Sequence, residues 1–592
     1  MQSVSTSPFN LSMLRKHNIW YTIKDGNWSD PTIWIGNGKR KYGVPQMGDD
    51  VYVNHSVVMD SNILINNMYI SGSLKGTSIN AYTITVNGDL QVSGSGLLDL
   101  SLQYNNLVLN GYNNIIPSAN FNAGNYSKVT YNATTYSQAV LNIPYNNLTA
   151  LGGQKYQVGD VTVAGTFTQQ SNYECGAYSL TVNGSSTIGN LFNGTFSKNS
   201  ASGSILFVGF VDFEGPVDLS IGNPNIEFRG GFQIHAFNFN IGTGTTTFTT
   251  NNQTITCSYF SSIWYSPIVI QGAITVALAG SATFQTNSTI NGTVSGSTFN
   301  NMGVLYLGNS AAPMTTGIFN YQYTTTSTLG YAFNGSGTLP YGSYANLVIS
   351  GTGTKSLGAN TSVNRSLTIT NGILDCAGCN LSVSTTFTCN GDFRATSFSN
   401  ILFIGAAFFG SGVTTGFDLR TGNANVEFRA GLEVHASSCY TGTGIFSFTT
   451  NSQTLNFSAF NGGVCNCNIL VSGAISLLFL GNTAAPGIVT GVVNGDNTSS
   501  IFNNGGTFQY NNSQQPMQTG KLYCNQAANT FIYGLSGNQD ITPPSDSLPG
   551  YKNLTLNGSG TKKLLGNVSV KGTYSLLPPA TLDSNGFALT NP

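Results

Sequence analysis

Asn225-Ile-Glu-Phe-Arg-Gly-Gly-Phe-Gln-Ile-His-Ala236 alternates polar and apolar side chains around a glycine pair. It returns 200 residues later as Asn425-Val-Glu-Phe-Arg-Ala-Gly-Leu-Glu-Val-His-Ala436. Alternation with a period of two is the pattern of a strand with one buried face. The same offset carries Phe248-Thr-Thr-Asn-Asn-Gln-Thr-Ile255 onto Phe448-Thr-Thr-Asn-Ser-Gln-Thr-Leu455. A second block recurs three times: Tyr145-Asn-Asn-Leu148 with Lys155, Tyr344-Ala-Asn-Leu347 with Lys355, and Tyr551-Lys-Asn-Leu554 with Lys562. Each is followed by a Leu-Thr-Val-like strand, at Leu180, Leu381 and Leu589. The chain therefore reads as about three tandem modules of roughly 200 residues, the first diverged, since a long repeat period marks a repeat architecture. The boundaries fall at 21–205, 206–401 and 402–592, behind an N-terminal segment 1–20.

Away from the repeats the pattern is the same. Tyr82-Thr-Ile-Thr-Val-Asn-Gly-Asp-Leu-Gln-Val-Ser-Gly94 is strand, turn, strand, and Gly, Asn or Asp interrupts such runs every 8 to 12 residues. No stretch keeps helical spacing for three turns, so almost no helix is expected. Of 592 residues only 7% are charged, against roughly 25% in an ordinary soluble domain. The net charge is -1, which argues against a nucleic-acid-binding face. With 35 Phe and 28 Tyr the chain is not disordered. Stacked coils give the low charge a cause: like charges repeated in register repel, whereas Asn and Thr bond to their copies. The expected fold is an all-β, elongated, right-handed parallel β-helix or β-solenoid with about 20 to 25 residues per coil, a rod on the order of 120 Å. Tandem β-sandwich domains are the alternative. No apolar run approaches the ~18 residues of a membrane span, and the first 30 residues lack a cleavable leader, so no membrane insertion is expected. Nine Cys, an odd number, fit folding in a reducing cytoplasm.

Gly26-Asn-Trp-Ser-Asp-Pro-Thr-Ile-Trp34, followed by Pro45-Gln-Met-Gly-Asp-Asp-Val-Tyr-Val53, resembles the opening coil of extracellular β-helical proteins. The resemblance implies that Trp28 and Trp34 cap the end of the apolar core. Six of the 21 basic residues lie in the first 41, among them Arg15, Lys16, Lys39, Arg40 and Lys41. They are candidates for a docking segment, or for a solvated tail and loop.

The Tyr-x-Asn-Leu and Gly-x-Lys block resembles repeats of large surface proteins of Bacteroidota and of fibres or spikes of the phages that infect them. That resemblance implies a β-solenoid acting outside the host cell and carries no catalytic residues. With no export leader read in the sequence, the expectation is a structural bacteriophage virion protein. It would be a tail fibre or spike, assembled in the host cytoplasm, that attaches to a host-surface glycan or protein receptor. A bacterial cell-surface adhesin and a polysaccharide-degrading spike are the alternatives. A homotrimer is expected, because long neutral strand edges need protection.

Within the repeat, Glu227, Arg229, Gln233 and His235 share parity opposite Ile226, Phe228, Phe232 and Ile234. Their counterparts are Glu427, Arg429, Glu433 and His435. All would face outward together, as a polar patch for glycan or partner contact, or as a self-neutralising Glu/Arg pair. Glu, Arg and His match no hydrolytic geometry, so no enzyme is expected. Cys376-Ala-Gly-Cys379 and Cys465-Asn-Cys467 lack a second ligand pair, so neither a metal nor a cofactor is expected. Cys175 and Cys376 align with Ser584, a small residue at a coil corner.

Overall fold

The computed structural model describes residues 18–37, 41–190, 194–258, 262–410, 417–435, 438–459, 464–482, 486–527, 529–546 and 550–591. The chain divides into two compact units. The first comprises 1–277 with 290–298 and 316–318, and the second comprises 278–289, 299–315 and 319–592. Among the described residues there is no α-helix, and only Pro31–Ile33 and Ser118–Asn120 make 3-10 turns. Nearly all regular structure is short parallel strands. In each unit they stack as the coils of a β-solenoid, about 23 turns in all.

In the first unit each coil turns past three sheets. Asn147–Ala150, Lys155–Gln157 and Val161–Val163 make one coil, and Phe167–Gln169 starts the next directly beside Asn147–Ala150. The step varies: Leu180 lies against Ile205, Ile205 against Ile226 and Ile226 against Thr246. In the second unit Thr361, Leu381 and Ile401 follow one another at 20-residue intervals. The inward residues of these strands are buried, and aromatic rings stack from coil to coil. Phe207, Phe228 and Phe248 have centroids 5.7 Å apart at both steps. Phe403, Phe428 and Phe448 repeat the stack at 5.6 and 5.2 Å. Removing one such ring costs about 3–5 kcal/mol, because the apolar contacts are lost and a cavity remains.

The outward positions explain the missing charge. Thr130, Thr149, Thr168 and Thr187 stand directly over one another in register. At the corners an Asn side chain accepts the first free N–H of the next coil. Asn360 Oδ1 takes Asn380 N and Asn380 Oδ1 takes Asn400 N, both at 2.9 Å. Parallel coils about 4.8 Å apart would set a charge at these positions against its own copy.

The N-terminal end of the first unit is closed by the antiparallel pairing of Trp34–Gly36 with Ile19–Thr22, whose other edge carries Asp50–Val53 in parallel. Trp28 and Trp34 are buried and meet edge to face at 4.8 Å. Trp34 Nε1 donates to the Trp28 carbonyl at 2.9 Å, and buried Trp20 donates to Asp49 at 2.8 Å.

The thrice-repeated block proves to be interior. Lys155, Lys355 and Lys562 are fully buried, with no carboxylate partner among the described residues. Each ammonium is held by main-chain carbonyls. Lys155 Nζ donates to Ala133 O (2.9 Å) and Gly153 O (2.7 Å). Lys355 Nζ reaches Phe333 O (2.8 Å) and Thr352 O (2.6 Å), and Lys562 Nζ reaches Leu535 O (2.6 Å) and Gly537 O (3.1 Å). Lys198, outside the repeated block, does the same with Gly176 O and Tyr178 O, both at 2.8 Å. Burial without a countercharge pulls the Lys155 ammonium down to about 8. The block's tyrosine pairs with another buried tyrosine each time: Tyr145 with Tyr131 (2.7 Å), Tyr344 with Tyr331 (3.3 Å) and Tyr551 with Tyr533 (2.8 Å). Beside the lysine in register stands Gln138, Gly337 or Gln539. Where the glutamine is missing, Phe333 takes its space and puts its ring 4.6 Å from the Lys355 ammonium; a Cβ on Gly337 would come within 2.8 Å of that ring. These residues satisfy buried carbonyls where one coil closes onto the next.

Candidate functional site

Glu227 lies on the strand Ile226–Phe228, half-exposed, between inward Ile226 and Phe228. Arg229 Nε donates to its Oε1 at 2.7 Å, and Thr249 Oγ1, one coil on, donates to the same oxygen at 2.7 Å. Glu427 receives Arg429 and Thr449 at the same two distances. Partial burial pushes both carboxyls up, but the hydrogen bonds from the threonine and the arginine outweigh it and hold them below the usual glutamate range.

The chain then turns a corner. Gly231 has φ +74° and Gly431 φ +98°, where a side chain would be strained. Buried Gln253 accepts the Gly231 N–H at 3.0 Å and donates to Phe228 O (2.9 Å) and Thr249 O (2.8 Å). Gln453 makes the same three bonds, accepting Gly431 N at 2.9 Å, donating to Phe428 O at 2.9 Å and reaching Thr449 O. The two blocks repeated at 200 residues are thus one device: the second supplies the threonine and glutamine that pin the first. Thr250 (φ +76°) and Thr450 (φ +78°) follow that threonine in a region costly for a β-branched residue.

The corner also divides the expected patch. Glu227 and Arg229 belong to one sheet, while Gln233 and His235 lie beyond Gly231 on the next, so the four face outward but not together. His235 Nδ1 is 3.0 Å from Asp212 Oδ1, and Gln233 Nε2 lies 2.6 Å from His235 Nε2. In the second unit Phe408 occupies the place of Asp212 and packs edge-on against His435 at 5.0 Å. There His435 Nε2 turns to Glu433 at 2.7 Å. Parity predicted outwardness correctly for each strand, but the glycine-marked corner decides which sheet a residue joins.

Glu427 also borders a groove of about 670 Å³ on the second unit, which crosses several coils past Asn380, Asn400, Ser362 and Ser382. Its amides and hydroxyls, interspersed with Leu381, Ile401, Val426 and Ile445, can donate to and accept from an uncharged ligand. Of the docking candidates, Lys41 is exposed, whereas Arg15, Lys16, Lys39 and Arg40 lie outside the described residues. Cys175 and Cys376 are buried free thiols, each with its N–H bonded to a neighbouring coil. Among the described residues no group of three or more His, Cys, Asp or Glu is placed to hold a metal ion, and no helix is long and apolar enough to cross a membrane. The site defined by fold and geometry is therefore a pair of pinned outward corners and, on the second unit, a groove of mixed polar and apolar lining. No protein-family model, curated protein or solved structure matches the chain.

Proposed function

We propose that this chain is a structural, non-catalytic virion protein of a bacteriophage, a tail fibre or spike that contacts the host surface. The observation carrying the reading is the surface of the stacked coils: ladders of threonine and amide side chains with few charges, suited to contact with hydroxyl-rich ligands. Glu227 and Glu427 are each held by an arginine and a threonine and kept ionised, the opposite of a general acid. Assembly as a homotrimer, with the N-terminal basic segment docking to other virion proteins, belongs to the same proposal.

Immunogold electron microscopy with an antibody against residues near 435 tests it. Label on slender appendages of phage particles is the expected result. Label on cell-surface filaments with bare virions would overturn it in favour of a bacterial adhesin, and release of reducing sugar from host polysaccharide by the purified chain would favour a depolymerase.

A further inference from the structure

Five arginines lie among the described residues, and four have a carboxylate two positions earlier: Arg229 with Glu227, Arg394 with Asp392, Arg420 with Asp418 and Arg429 with Glu427. Arg365 has none. It stands exposed at a corner of the second unit, on the wall of a pocket of about 620 Å³. Its Nη1 makes a long bond, 3.4 Å, to the Thr325 carbonyl two coils back. That leaves most of its five donors directed at no acceptor among the described residues.

The internal repeat supplies a control for this position. Arg365 precedes by two residues Leu367, the register partner of Leu347 in the second Tyr-x-Asn-Leu block. The equivalent residues are Gly165, two before Phe167 opposite Leu148, and Gly572, two before Tyr574 opposite Leu554. The corner closes around glycine in both sister copies, so the coil does not need the arginine. What surrounds it is also specific. Tyr323, the one exposed tyrosine among the described residues of the second unit, lies on the facing loop with Gln322 and Thr324. Thr324 N donates to Ser327 Oγ at 3.0 Å, and Tyr321 stacks on Tyr341 at 4.3 Å, so this loop is anchored before any ligand arrives. Asn364 and Thr385 complete the wall with an amide and a hydroxyl.

We infer that this pocket binds an acidic sugar, its carboxylate or phosphate on the Arg365 guanidinium and its ring against Tyr323. A guanidinium takes two oxygens of a carboxylate or a phosphate in two parallel bonds, an aromatic ring offers an apolar face to a pyranose, and the amides and hydroxyls bond its hydroxyl groups. The volume suits one or two sugar rings. The inference rests on the host-surface reading above and makes it specific to anionic surface glycans.

Calorimetric titration of the full chain with a uronic-acid disaccharide, a hexose phosphate, the matching neutral disaccharide and inorganic phosphate tests it. One or both acidic sugars bind, the carboxylate and phosphate arms identifying which anion is preferred. The neutral sugar binds at least about tenfold more weakly, and added salt weakens the acidic complex. Arg365→Gln loses about tenfold in affinity with an unchanged melting temperature. Tyr323→Ala lowers affinity for the sugar but not for inorganic phosphate. Equal binding of the neutral sugar, inorganic phosphate binding as tightly as the hexose phosphate, or full affinity in Arg365→Gln overturns the inference. Labelled chain that coats host cells but takes no acidic sugar overturns this site and leaves the attachment reading. Acidic-sugar binding by a chain whose label never falls on virions supports the site and removes the virion assignment.

Discussion

Lys355 and Arg365 are ten residues apart in one unit and occupy opposite kinds of place. Lys355 is fully buried, capped by carbonyls and by the Phe333 ring, and has a counterpart in every copy of its block. Arg365 is exposed, has no carboxylate partner among the described residues, and is replaced by glycine in the sister copies. The difference teaches how to read a solenoid with internal repeats. What recurs closes one coil on the next, and what differs between copies is free to face a ligand. The Glu/Arg/Thr cluster, duplicated together with its Gln253 and Gln453 staples, falls on the recurring side.

The largest effect that would sharpen this contrast lies in the shared core. Phe428→Ala is expected to cost about 3–5 kcal/mol in local opening free energy by hydrogen exchange, and Phe228→Ala a comparable amount, since both rings sit in matching stacks.

Next comes the buried cation. Lys155→Met leaves the Ala133 and Gly153 carbonyls without their donor and should cost about 1–3 kcal/mol at neutral pH. The folded-state ammonium titrates near 8, below its ordinary 10.5. Above about 8 the unfolded chain therefore binds the extra proton, so the wild type gains stability as pH rises from 8 towards 10.5. A denaturation series across that range should show the gain in the wild type and its loss in Lys155→Met.

Much of this was legible from sequence. Alternation around Asn225–Ala236 and the 200-residue offset were enough for a stacked all-β chain, and the scarcity of charge pointed to in-register coils. The Tyr-x-Asn-Leu block was visible as a repeat, but its purpose was not. Nothing local to Lys155 indicates that its partners are carbonyls as far off as Ala133, a full coil earlier. Parity alone makes Glu227 to His235 one face, because it carries through a strand but not around a corner at Gly231. Arg365 is not legible in the sequence, because its signal is a difference between copies that appears only where register sets Gly165 and Gly572 as its equivalents.

Smaller effects probe the strained and the charged positions. Thr450→Gly relieves a positive φ and should raise local stability by about 1 kcal/mol, with Thr250→Gly matching it in the first unit. Glu427→Gln should cost less than about 1 kcal/mol, because the pair is roughly a third exposed and screened. Its folded carboxyl titrates below the usual range, so the wild-type advantage is present above the ordinary glutamate pKa and disappears as pH falls through the folded value. Urea melts of both proteins at descending pH would converge.

The most direct test sets one recurring residue against one that differs, in the same assay. Lys562→Met and Arg365→Gly would each be measured for melting temperature and for acidic-sugar affinity. The account predicts that Lys562→Met melts earlier and binds normally, while Arg365→Gly melts normally and loses binding. Early melting of Arg365→Gly with its affinity intact would contradict it, placing Arg365 among the residues that hold the coil.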